Sequence, residues 1–174
     1  MAITRLNNNS ITSITALPSG VDVGLIEIDM FRLTTSINGT VTLSSNFERV
    51  DEADFNKVGT GMTESSGVFT FPKTGVYSVL WSGSNYGDGG ADAQVNIQIQ
   101  TSTDGGSNWG VSAMNFHHLH SGEQTTFNVQ CIVDVTNTSN NKVRFVADTN
   151  ANGQLQGNSN LTYNGFTFIR LGNT

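Results

Sequence analysis

Gly67 to Val79 reads GVFTFPKTGVYSV, and this stretch decides the fold. Val68, Phe69 and Phe71 end one apolar run, and Val76, Tyr77, Val79, Leu80 and Trp81 make the next. Pro72-Lys73-Thr74-Gly75 lies between them. Proline presets φ for a reversal, and glycine accepts the positive φ that a tight turn often needs. Two β-rich runs about such a turn predict a pair of strands in an all-β domain.

The same reading extends along the chain. Leu25 to Ile37 carries Ile26, Ile28 and Met30, then Leu33 with a change of phase. Thr40 to Val50 and Phe55 to Met62 are short apolar segments broken by Ser44-Ser45-Asn46 and Gly59-Thr60-Gly61. Val95, Ile97 and Ile99 alternate with Gln94, Asn96, Gln98 and Gln100, the period of a half-buried strand. Phe127, Val129, Cys131, Val133 and Val135 share one face of a second. Trp109 to Leu119, Val143 to Ala147 and Leu161 to Leu171 supply three more, the last with Phe166, Phe168 and Arg170 on one face. Asn85 to Ala91 and Asn150 to Asn160 read as loops, rich in Asn and Gly. No segment keeps helical spacing, and no internal repeat suggests a propeller. Eight or more short strands predict an antiparallel β-sandwich of jelly-roll type.

Composition narrows the function. The net charge of −6 and the lack of a basic cluster give no electrostatic basis for binding nucleic acid. No run of about 18 apolar residues occurs, so no helical membrane span is expected. The lone Cys131 excludes an intrachain disulfide and sits in the apolar run FNVQCIVDV, which reads as a buried thiol. Met1 to Gly24 differs from the rest: polar, Asn-rich and ending in Leu17-Pro18-Ser19-Gly20. It reads as an arm, residues 1–24, preceding a jelly-roll domain at 25–174, with Ile3, Leu6, Ile11, Ile14 and Leu17 as its attachment residues. Arg5 is followed by polar sequence instead of an apolar h-region, so a secretory leader is not expected.

The order GxFTFPxTGVYxVxWS, from Gly67 to Ser82, resembles the central signature of the jelly-roll superfamily shared by the globular head of complement component 1q and tumour necrosis factor. CIVDVTNTSNNKVRFV (Cys131 to Val146) and YNGFTFIRL (Tyr163 to Leu171) are similar to later strands of that family, in the same order. The collagenous stalk of complement-type relatives has no counterpart here. The start MAITRLNNNSITSITALPSG, with GTGM at Gly59 to Met62 and SSGVFTFPKTG at Ser65 to Gly75, resembles virion appendage proteins of bacteriophages, marine ones especially.

These resemblances imply a homotrimer with Phe69, Phe71, Tyr77, Phe166 and Phe168 as candidate interface residues. They imply a structural virion protein, a fibre, knob or capsid decoration bound to other proteins of capsid or tail through residues 1–24. Such a protein assembles in the host cytoplasm and is released by lysis. The alternative they leave is a tail-fibre tip whose loops bind a host surface glycan.

Chemical motifs are sparse. Ser102 to Trp109, STDGGSNW, matches the Asp-box pattern S-x-D-x-G-x-x-W, a hairpin-stabilising turn whose single copy does not argue for a sialidase. Asp88 and Asp92 in NYGDGGAD are hard oxygen donors on a glycine-rich loop, candidates for a cation weighed against a plain surface loop. His118 and His120 share a face in FHHLHSG, with His117 on the other, and are the imidazole candidates for a metal. Asp51, Glu52 and Asp54 read as a charged turn. No nucleophile elbow or phosphate-binding loop occurs, so neither an enzyme nor a cofactor is expected.

Overall fold

The computed structural model describes residues 25–52, 55–88, 93–149 and 152–174, and every regular element among them is a β-strand. The arm residues Ile3, Leu6, Ile11, Ile14 and Leu17, together with Asp54 and Asp92, lie outside the described residues.

The opening stretch forms β6 (Val68–Thr70) and β7 (Gly75–Gly87), but the two do not pair with each other. The Pro72 turn carries the chain from one sheet to the other. β7 is the spine of the first sheet. On one side it pairs with β10 (Gln124–Val135), from Gly75↔Val135 to Tyr86↔Gln124. On the other it pairs with β13 (Asn164–Gly172) and, at its far end, with β12 (Gly153–Asn158). β1 (Ile28–Leu33) follows β13, then β4 (Phe47–Arg49), while β2 (Thr35–Asn38) borders β12.

The second sheet runs β5 (Thr63–Ser65), β6, β11 (Lys142–Asp148), β8 (Ala93–Ser102), β9 (Gly110–Leu119), with β3 (Thr40–Thr42) also on β11. All pairings are antiparallel. The chain crosses between sheets from β2 to β3, β3 to β4, β4 to β5, β6 to β7, β7 to β8, β9 to β10, β10 to β11 and β11 to β12. That exchange makes the sandwich a jelly roll.

The expected alternations hold in β8 and β10. Val95, Ile97 and Ile99 are fully buried, as are Phe127, Val129, Val133 and Val135 of β10 to within a few per cent. Three readings need correction. Asn85 to Gly87 belong to β7, because Asn85 is buried and Tyr86 pairs across to Gln124 and Gln154. The expected loop at 150–160 contains β12, where Leu155 faces the core and the amides satisfy themselves by pairing with β7 and β2.

In β1 the inward face has no phase change. Glu27, Asp29, Phe31 and Leu33 point inward, leaving Ile28 and Met30 half-buried on the outside. The two carboxylates are buried because the Gly59–Met62 turn serves them. Gly61 N–H donates to Glu27 Oε2 at 3.0 Å and Met62 N–H to Asp29 Oδ2 at 2.7 Å. Arg49 grips Asp29 with Nε at 2.9 Å and Nη2 at 3.1 Å. Lys73 Nζ stands 3.1 Å from Glu27 Oε1, an ion pair not aligned as a hydrogen bond. Gly59 holds φ +78°, and a Cβ there would lie 2.2 Å from the Ile26 carbonyl.

Asn164 is the buried polar knot of the first sheet. Its Oδ1 accepts from Trp81 Nε1 at 3.0 Å, and its Nδ2 donates to the carbonyls of Ser84 and Gln156, each at 2.9 Å. Removing it strands the indole N–H in the core, which costs about 1–3 kcal/mol for the unmet donor. Asn164→Ala should therefore lower the urea unfolding midpoint by a corresponding amount with an unchanged slope. An unaltered midpoint would remove this residue from the account of stability.

Candidate functional site

The five residues expected at a subunit interface lie within the chain's own core. Phe69, Phe71, Tyr77, Phe166 and Phe168 are at most 1% exposed in the single chain. Side chains already sealed between the two sheets have no surface left to offer a neighbour. Tyr77 donates its hydroxyl to the Lys73 carbonyl at 3.1 Å, and burial pushes its pKa up to about 12, with Glu27 adding to the effect.

The surface that is available is the outer face of the first sheet. Side chains alternate across a strand, so the residues between the buried ones point outward. Register aligns them in rows across β1, β13, β7 and β10. One row is Ile28, Ile169, Ser78 and Ile132; the next is Met30, Thr167, Leu80 and Gln130; a third is Arg32, Gly165, Ser82 and Asn128. Ser84 and Thr126 continue it, then Tyr86 and Gln124.

On the outward positions of these strands charge appears only at the margins, at Arg32 and Asp134, while Asp29 and Arg170 point inward. Arg32 is covered by the segment that follows β4. Its guanidinium meets Glu52 at 2.7 Å, Glu48 at 3.1 Å and Asp51 at 3.3 Å, and Glu52 first, then Glu48, push its pKa further up against the opposing effect of burial. The cluster expected as a charged turn thus clasps a cation, as far as its described members show. At the apolar end of the face, Ile132 and Leu171 are more than half exposed. On the adjoining edge strand β9, so is Phe116, with Met114 beside it at 40%.

The metal candidates are scattered. Asp88 is exposed and accepts from Asn38 Nδ2 at 3.0 Å. His118 and His120 are exposed, His118 on β9 and His120 just past its end. No group of three or more His, Cys, Asp or Glu among the described residues is placed to hold an ion. The Asp-box turn does structural work. Ser102 Oγ donates to Asp104 and accepts from Gly106 N–H, and Asp104 accepts from both the backbone and the side chain of Asn108. Those Asn108 and Ser102 bonds hold the Asp104 carboxyl down to about 2. Trp109 carries the Arg144 guanidinium 4.4 Å above its ring. Cys131 faces inward, and burial raises its thiol to about 11.

The fold has many likenesses among solved structures. The crystal structure of murine APRIL at pH 5.0 superposes with a TM-score of 0.61 at 10% identity, over 83% of this chain and 98% of that one. The structure of Eiger TNF from S. frugiperda gives 0.60 at 10% identity, over 86% and 94%. The fold is the tumour-necrosis-factor-like jelly roll. At such identity the likeness concerns architecture alone. No protein-family model matches the sequence, and no curated protein does.

Within this jelly roll His117 has a role that the sequence did not disclose. It points inward from β9 and stacks on Phe127 of β10, ring centres 5.8 Å apart. Its Nδ1 lies 3.0 Å from Asn115 Oδ1 and its Nε2 2.9 Å from Asn85 Nδ2. An acceptor at one nitrogen and a donor at the other suit a neutral ring with the proton on Nδ1. Burial first, and His118 second, hold its pKa below 6.5.

The unfolded chain therefore binds a proton more readily than the folded one. The stability that neutral His117 contributes is complete above 6.5 and declines as pH falls toward the lowered folded value. Urea midpoints measured across that range should fall with acid in the parent and fall less in His117→Gln. Equal pH slopes in the two proteins would show that this bridge does not titrate with folding.

Proposed function

We propose that this protein is a non-enzymatic structural component of a bacteriophage particle, a homotrimeric knob on capsid or tail joined to its partners through residues 1–24. The observation that carries the self-assembly is the outer face of the first sheet. A solvated sheet face is normally polar or charged. This one presents Ile28, Ile169, Leu80, Met30 and Ile132 in adjacent rows with no charge among them. A second copy of the chain supplies the complement, because the apolar edge at Met114 and Phe116 lies on a different surface. Edge against face is a head-to-tail contact, and such contacts close into a ring when the rotation permits. The jelly-roll fold and the phage-like N-terminal sequence favour a ring of three on a particle. Assembly in the host cytoplasm and release by lysis follow from that reading.

Sedimentation of the purified protein should give three times the 18.6 kDa chain mass. Ile132→Asp and Phe116→Asp each bury an unpaired charge in the contact, a cost of about 3–5 kcal/mol, and should yield folded monomer. A monomeric parent, or variants that stay trimeric, would overturn the assignment of these surfaces. Deleting residues 1–24 should leave the trimer intact and abolish incorporation into particles; normal incorporation would remove the anchor from the proposal.

A further inference from the structure

The outer face of the first sheet divides into two chemistries. Beyond its apolar rows lies an open depression of about 340 Å³, bounded by β7, β10 and the segment entering β13. Its volume is at the small end of the range for small-molecule sites, about 300–1,000 Å³. Ser82 faces Asn128 and Ser84 faces Thr126 as direct cross-strand pairs, and Thr162 and Tyr163 form the rim. The hollow exists because these β7 side chains are short, and at its flank Gly165, beside Ser82, lets Thr162 and Met30 pack over the strand. A Cβ on Gly165 would come within 2.9 Å of Thr162 and 2.8 Å of Met30.

The floor is rigid. Trp81 and Phe127 pack edge to face beneath it at 5.3 Å, and Asn164 ties Trp81 to the Ser84 carbonyl. The rim segment is tied too, since Ser84 N–H donates to the Tyr163 carbonyl at 3.1 Å.

Of the hydroxyls and amides lining it, Ser84 alone has a side-chain partner among the described residues, Gln156. The side chains of Ser82, Thr126, Asn128 and Thr162 make no hydrogen bond among the described residues. Elsewhere on the same face such groups are paired, as Gln130 is to Ser78 at 2.7 Å. No ionisable carboxylate, amine, imidazole or guanidinium lines the depression. That separates it from a second open depression, near 360 Å³, whose lining includes Arg49, Lys57 and Glu64.

We propose that this depression binds a neutral sugar ring. A pyranose has hydroxyls at its edge and C–H groups on its face. Hydroxyls and an amide on adjacent strands match the edge. Tyr163, 41% exposed at the rim, offers a flat amphipathic ring for the face. An anionic sugar would find no countercharge, and a lipid would leave the hydroxyls unpaired. The site rests chiefly on strand-borne residues of the sheet face, Ser82, Ser84, Thr126 and Asn128.

The test is titration of the full-length protein, followed by amide NMR, with glucose, galactose, mannose and N-acetylglucosamine, and with sialic acid as the charged control. At least one neutral sugar should shift residues of β7, β10 and 161–163 saturably in the millimolar range, and sialic acid should not. Tyr163→Ala and Asn128→Ala should each weaken binding by about tenfold or more without changing the unfolding midpoint. No saturable shift with any neutral sugar, a preference for sialic acid, shifts elsewhere, or binding indifferent to both variants would overturn the site. Sedimentation of the same samples keeps the two readings apart. A trimer that binds no sugar removes the site alone, and a monomer that binds removes the trimer alone.

Discussion

Phe69 is the contact on which the sandwich depends. It stands on β6, a strand of only three residues, yet its ring meets Phe31, Phe47 and Phe168 of the opposite sheet at 5.0–5.1 Å. It also meets Phe145 of its own sheet at 5.5 Å. Phe145 in turn touches Phe166 and Trp81, and Phe166 touches Phe47. Edge-to-face pairs add about 0.5–1.5 kcal/mol each beyond the area they bury. More important is what they fix. Each ring comes from a strand whose register alternates, so a one-residue slip in any of them would turn its ring to solvent. The Pro72 turn then has one task, to carry the chain from Phe69 in one sheet, past the buried Phe71, to Tyr77, Val79 and Trp81 in the other.

Ring packing alone does not close the end of the sandwich where β1 begins. Glu27 and Asp29 occupy inward positions there and are almost wholly buried. A buried carboxylate is tolerable only when paired and hydrogen-bonded. Here the Gly59–Met62 turn supplies backbone donors and Arg49 a bidentate grip, while the Arg49 guanidinium also lies 4.8 Å above the Phe31 ring. Replacing one partner alone would leave a charge without its counterpart, so the turn, the cation and β1 form one unit. Its value lies in holding a short irregular segment against the sheet, which apolar packing at those positions would not direct.

The sequence was legible where burial follows hydropathy. Val95, Ile97 and Ile99 in β8 and Phe127 to Val135 in β10 alternate as expected because water wets only one side of each strand. It misled in β1, where the inward residues include two acids and the outward ones are Ile28 and Met30. Hydropathy ranks those faces in the wrong order, and only the donors of a distant turn reverse it. It misled in β12 because amide and glycine composition looks like loop when the strand's stability comes from pairing at the end of β7. The core phenylalanines could not be told from interface ones by composition, since both are apolar; burial within the single chain separates them. His117 was hidden for a different reason: its partners, Asn85 and Phe127, are remote in sequence and meet it only when the two sheets close.

The candidate surface did leave a signal, in VYSVLWS. With Tyr77, Val79 and Trp81 turned inward, a solvated strand would place charge at the positions between them, and Val76, Ser78 and Leu80 stand there instead. The second sheet shows the contrast. Its outward positions on β11 and β8 carry Lys142, Arg144 and Asp148, with Val146 among them, and a ladder of Gln94, Asn96, Gln98 and Gln100, and this sheet turns apolar at its edge strand β9, at Val111, Met114 and Phe116. One chain has therefore built a wet face and a dry-leaning one from strands of equal regularity. Core packing does not require that difference, because both faces point away from the core. The asymmetry, together with the change along the first sheet from Ile and Leu to unpaired Ser, Thr and Asn, is better explained by two kinds of contact. The apolar rows suit a surface that excludes water against another copy, and the hydroxyl-lined hollow suits a ligand that replaces water group by group.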